Sequence, residues 1–244
     1  MTKIAIRSSY CRLFRIKGDE DMNSANPTRD DMRIQDLVRD ELKWASDVDA
    51  ANVGVAVNDR TVTLSGEVHD YSHLLAAKRA ALRVRGVTAV VNDLRVHPPT
   101  SLVVTETDIA KEVDRALRGA TNIPDTVKAE VNGSHVTLSG QVRWDFQRRA
   151  AEHAVQHLRG VHSVRNSIAL APRAAADDTA ARIKHAIIRN AQLDAKTINV
   201  AATGNKVTLT GTVRSWAEKR QAEAAAWSSP HVTQVDNHIT VLAL

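Results

Sequence analysis

Aromatic side chains are scarce: four Trp, two Tyr and two Phe make up 3% of 244 residues. Cys11 is the sole cysteine, which rules out an internal disulfide and gives no signal for an oxidising compartment. No run approaches the roughly 20 apolar residues of a membrane-spanning helix. The first 18 residues also lack the apolar core of a secretory signal, because Arg7, Arg12 and Arg15 interrupt every short run. On that reading a cytoplasmic address is expected; a periplasmic one stays open if the true start differs, Met22 being one alternative. An excess of one charge is missing too. Five of the 33 Lys and Arg lie in residues 1–18, and the remaining 28 meet 28 Asp and Glu. Specific nucleic-acid binding is therefore not expected, since phosphate recognition needs a concentrated basic footprint. Residues 1–29 read as a disordered basic leader.

What is present is a repeat. Val-Thr-Leu-Ser-Gly occurs at 62–66 and 136–140, and returns at 207–211 with Thr210 in place of Ser, at intervals of 74 and 71 residues. Twenty residues after each motif glycine (Gly66, Gly140, Gly211) stand Gly86, Gly160 and His231. A Val-x-x-Val-x-Asn pattern follows, ending at Asn92, Asn166 and Asn237. One small unit has been copied three times.

Each copy reads as αββαβ. An amphipathic first helix carries Ile34, Leu37, Val38 and Leu42; Ile109, Val113, Ala116 and Leu117; and Ala180, Ile183, Ile187 and Ile188. A hairpin of alternating strands turns at Asn58-Asp59-Arg60, Asn132-Gly133-Ser134 and Thr203-Gly204-Asn205. A second helix buries an alanine-rich face (Ala77, Ala80, Ala81; Ala151, Ala154; Ala222, Ala225, Ala226). Its cap is Asp70 in the first copy and Ser215 of Ser-x-x-Glu in the third, whereas Trp144 leaves the second copy's cap open. Gly86 and Gly160 read as caps at its far end. A third strand closes the unit. The expected fold is α+β: three tandem αββαβ units, each a mixed three-stranded sheet covered on one face by two helices. Their bounds are 30–97, 106–171 and 177–243, with linkers 98–105 and 172–176.

Gly66, Gly140 and Gly211 are expected where a helix crosses closely against the sheet. Asn92, Asn166 and Asn237 are expected to tie the exit of the second helix to the start of the last strand.

These residues resemble the BON domain family (bacterial OsmY and nodulation) in the Val-x-Leu-x-Gly strand, the glycine–valine helix exit and the Val-x-Asn that follows. The third copy departs by lacking the glycine before Val232. The resemblance implies binding rather than catalysis, in osmotic or envelope stress, with affinity for a protein partner or an anionic phospholipid surface. A cation (potassium) or small-solute sensor is the alternative, and self-association stays open.

No catalytic, metal or cofactor site is expected. Ser65 and Ser139 sit in strands without a fixed histidine. His153 and His157 have metal-ligand spacing on a helix, but Arg79 and Arg83, and Ala224 and Ser228, replace them in the other copies. The candidate contact surface is the open sheet face or the turn before the second helix. At that turn Tyr71, Trp144, Phe146 and Trp216 gather with Arg143 and Arg214. An aromatic–basic edge can enter a headgroup layer or hold a partner. In a chain so poor in aromatics, packing unit against unit is the expected use of these rings, with the contact reading kept beside it.

Overall fold

A computed structural model describes residues 28–97, 104–174, 178–189 and 197–242. Most of the leader and parts of both linkers lie outside them. The first unit runs α1 (Arg29–Trp44), a short 3-10 turn (Ala50–Asn52), β1 (Val53–Asn58), β2 (Thr61–Val68), α2 (Tyr71–Arg83) and β3 (Ala89–Val96). The second runs α3 (Glu106–Gly119), β4 (Lys128–Asn132), β5 (His135–Ser139), β6 (Gln141–Val142), α4 (Asp145–Gln156), β7 (Ser163–Asn166) and β8 (Ala169–Leu170). The third runs α5 (Thr179–Arg189), β9 (Ile198–Thr203), β10 (Lys206–Val213), α6 (Trp216–Trp227) and β11 (Gln234–Val241).

Each sheet is mixed, with the hairpin partner antiparallel and the last strand parallel to the central one. In the second unit the ladder breaks after Leu138 and resumes as the β6–β8 pair. Each unit has its own core. Val62, Leu64 and Val68 of β2 meet Val38 and Leu42 of α1 and Ala77, Ala80 and Ala81 of α2. Leu138 with Val113 and Ala151, and Leu209 with Ile187 and Ala222, repeat that packing. Alanines keep the second helix close to its strands, as the sequence implied. The opposite sheet face is mostly polar: Ser65, Glu67, Asp93 and Arg95 are exposed beside Val91 in the first unit, and Thr203, Thr210 and His238 in the third.

Four expectations change in detail. Gly86 and Gly160 hold positive φ of 93° and 83° but stand beyond the caps, which are Val84 for α2 and His157 for α4. Leu37 and Ile188 do not belong to the buried stripe; they are 44% and 54% exposed, because they stand one position off the Ile34–Val38–Leu42 line and its counterpart. No helix crosses the motif glycines. A Cβ on Gly140 would meet the Thr126 carbonyl oxygen, so the close neighbour is the backbone entering the first strand. Two of the asparagines reach the body of the second helix rather than its exit. Asn166 Nδ2 donates to Arg148 O and Glu152 Oε2 at 3.1 and 3.0 Å, and Asn237 Nδ2 to Glu223 Oε2 at 3.1 Å.

The units touch one another. Tyr71 at the start of α2 packs on the second unit's core. The Arg148 guanidinium of α4 lies 4.6 Å from the centroid of the Trp227 ring of α6. In turn, α6 packs against α2. These contacts close a ring of three.

Candidate aromatic and basic contact site

The turn before the second helix is built three ways. In the first unit Asp70 caps α2 through His73 N at 3.0 Å. In the third, Ser215 accepts from Glu218 N at 3.2 Å while Glu218 reaches back to Arg214 N at 2.9 Å. In the second, Gln147 Oε1 accepts from both Arg143 N and Trp144 N at 3.0 Å. A glutamine thus supplies the cap that Trp144 cannot, and the indole is free to project.

The six candidate residues do not form one surface. Tyr71 is half-buried in the seam between the first two units, where burial pushes its hydroxyl above the usual phenol range and the backbone of Val164 acts against that. Trp216 is half-buried in the third unit, with Lys219 Nζ 5.1 Å from its ring centroid and its Nε1 enclosed. Arg214 is exposed at its own turn. Arg143, Trp144 and Phe146 are the group that shares one turn and faces out: Trp144 is 38% and Phe146 55% exposed.

Around Trp144 the chain has added something. Arg173 lies over the indole, 3.8 Å from its centroid, and donates to Pro230 O of the third unit. His231 Nδ1 pairs with Ala174 O at 2.9 Å. Arg143, Trp144, Arg173, Pro230 and His231 line an open groove of about 300 Å³ at the seam of the second and third units. Burial, and then the neighbouring Arg143, lower the pKa of Arg173 from the ordinary guanidinium value. Neither arginine pairs with a carboxylate among the described residues. Two cations without counter-charge beside an aromatic face suit an anionic group carried on an apolar body.

Sequence reasoning missed Arg173, which falls in a linker and has no repeat counterpart to compare. It also missed Trp44, at 87% exposed. A signal existed there: Trp44 follows Leu42 by two, a spacing that turns it off the buried stripe. His153 and His157 are exposed and stack edge-on at 4.8 Å, where burial first, then His153, lower the pKa of His157. Among the described residues no three His, Cys, Asp or Glu stand together as metal ligands. His135 Nδ1 and Ser163 Oγ are 2.7 Å apart on the exposed sheet face. No described helix is long and apolar enough to cross a membrane.

The geometry defines an array of three small helix-on-sheet modules. Three stretches, 30–98, 105–172 and 175–243, match the BON domain, so the chain belongs to the BON domain family. It is similar to osmotically-inducible protein Y of Escherichia coli (strain K12), at 29% identity over 157 residues, covering 62% of this chain and 78% of that protein. Among solved structures it is similar to the C-terminal domain of CdsD, a structural protein of the type III secretion system of Chlamydia trachomatis. That likeness has 11% identity and a TM-score of 0.25, and covers 85% of this chain and 96% of that one.

Proposed function

We propose that this chain is a non-enzymatic binding and scaffold protein of osmotic and envelope stress adaptation. Its second unit engages an anionic phospholipid surface, or the acidic surface of a protein, through Arg143, Trp144, Phe146 and Arg173. The single observation that carries this reading is the exposed Trp144–Phe146 pair beside two guanidinium groups that have no carboxylate partner among the described residues. Aromatic rings at a headgroup layer are favoured because one end is apolar and the other tolerates water, and arginine meets phosphate oxygens in a fork. The kinship with an osmotically inducible protein supports the stress setting. The open sheet faces, being polar, support this role less.

The test is co-sedimentation with vesicles of phosphatidylglycerol and phosphatidylcholine, against vesicles of phosphatidylcholine alone. Wild type is expected to sediment with the anionic vesicles, and Trp144→Ala/Phe146→Ser to stay in solution. Equal sedimentation of the two proteins removes this turn from the contact, and no sedimentation of either rejects the phospholipid surface.

A further inference from the structure

We infer that the second unit accepts an extended peptide as an added strand on β4, in a groove that the first unit keeps shut. The comparison between copies carries it. In the first unit Gln35 Nε2 of α1 donates to Val55 O on the edge strand at 2.6 Å, and Val55 and Val57 are buried. That side chain occupies the outer edge of β1 and satisfies a carbonyl that would otherwise be free to pair. In the second unit Ala110 stands at the position of Gln35, and Ala129 at that of Val55. Neither carries the atoms that close the gap. A groove of about 750 Å³ lies between α3 and β4 as a result.

Its construction suits a strand. β4 pairs with β5 on one side only, so among the described residues no strand meets the backbone groups of its other edge. Lys128, Ala129 and Glu130 of β4 are exposed. The five residues of β4 offer about 17 Å of edge at the usual rise. The exposed Ala110 and Ala129 with the half-buried Pro124 and Val131 give the groove small apolar contacts for alternate side chains of a docked segment, above the buried Val113, Leu117 and Val127. Main-chain hydrogen bonds give such additions their affinity, and the alternate pockets their selectivity.

Charge identifies the occupant. The lining holds three carboxylates, Glu106, Asp114 and Asp125, against two cations, Arg118 and Lys128; Asp114 is paired with Arg118 at 2.8 Å, and Glu106, Asp125 and Lys128 make no ion pair among the described residues. The excess of carboxylate favours a Lys or Arg near the ends of the segment, and the small apolar lining favours small β-branched residues at alternate positions. This site is separate from the aromatic turn and stands or falls without it.

The experiment is fluorescence anisotropy of the full chain with a labelled Lys-Val-Thr-Val-Thr-Lys peptide. The same peptide with Glu for Lys, and one with Pro at its centre, serve as controls. The basic peptide is expected to saturate at micromolar to low millimolar concentration, with the Pro peptide at least tenfold weaker because it lacks a ladder donor. The groove is closed by Ala110→Gln/Ala129→Val, which copies the first unit. That variant is expected to keep or raise the melting temperature and to lose at least tenfold in affinity. Equal binding by wild type and the closed variant overturns the inference, as does no binding by the folded wild type. Sedimentation velocity adds one arm: a concentration-dependent dimer abolished by the closed variant makes a second copy the occupant, and overturns the peptide assignment.

Discussion

A Cβ placed on Gly66 would stand 2.1 Å from the carbonyl oxygen of Asn52. The same collision recurs between Gly140 and Thr126 at 2.1 Å and between Gly211 and Thr197 at 2.0 Å. The three glycines hold φ of 115°, 118° and 122°, a region that side chains rarely enter. The motif glycine of the repeat therefore marks where the chain entering each hairpin passes over the end of the central strand.

Gly140→Leu is expected to destabilise the second unit by about 1–3 kcal/mol or more, through both the backbone strain and the collision with Thr126. Gly119→Ala is the matched control, because nothing stands within 4 Å of its Cβ. That change is expected to be neutral or to stabilise by roughly 0.4–1 kcal/mol. Urea unfolding of both variants decides, and a wild-type midpoint for Gly140→Leu would show that the glycine serves another purpose.

Asp31, 2% exposed, serves two masters. It completes a capping box with Thr28, and its carboxylate accepts from Arg60 N at 2.9 Å and Asp59 N at 3.3 Å. Asp59 and Arg60 have φ of 47° and 59°, so this carboxylate holds a hairpin turn that glycine serves in the other copies. The Arg60 amide lowers the pKa of Asp31 from the ordinary 3.8, with burial opposing and Thr28 assisting. A folded-state value below the unfolded one means the stabilisation is present above about pH 4 and is lost as pH falls through the folded value. Melting temperatures followed from about pH 6 to about pH 2 should show a shallower acid limb in Asp31→Asn than in wild type, on top of a lower plateau.

The asparagines are not equivalent. Asn166 Oδ1 accepts from Ile168 N at 3.2 Å and Asn237 Oδ1 from Ile239 N at 3.2 Å, while Asn92 Oδ1 is enclosed without a partner. Lys78 occupies the place of Glu152 and Glu223, and offers a donor where an acceptor is needed. Asn166→Ala is expected to cost about 1–3 kcal/mol, because it strands paired backbone and carboxylate groups. Asn92→Ala is expected to cost less than about 1 kcal/mol. Equal losses in denaturant titrations would contradict the hydrogen-bond account.

Tyr71→Ala is expected to weaken the seam between the first two units by about 1–3 kcal/mol, since the ring packs on the second core rather than only its own. The diagnostic is cooperativity. Unfolding should broaden and the denaturant slope fall as the first unit separates from the rest. A sharp transition merely displaced in midpoint would place the ring's contribution inside one unit.

Periodicity made the cores readable. Ile34, Val38 and Leu42 recur at one helical interval, and Val62, Leu64 and Val68 at the strand interval, so each set declares its face without any knowledge of neighbours. Leu37 fits the same arithmetic yet points to water, because a three-residue step drifts off a stripe built on fours. The candidate site was less readable. Spacing gathers Tyr71, Trp144, Phe146, Trp216, Arg143 and Arg214 at equivalent turns, but Tyr71 and Trp216 are partly withdrawn from the surface, Tyr71 into the seam with the second unit. Arg173 reaches Trp144 only once the linker has folded back. Contacts of that kind depend on how finished units are placed, which hydrophobic spacing does not encode.

The mutual contact of α2 and α6 has a consequence for biosynthesis. Ala76 on α2 is 3% exposed but takes no part in its own unit's core. While the polypeptide emerges from the ribosome, the flank of α2 that meets α6 stays uncovered until the last third of the chain has been made. A release before that point leaves a bare helix flank on an otherwise finished module, so nascent fragments ending after the second unit should recruit holdase chaperones more than chains that carry the third unit.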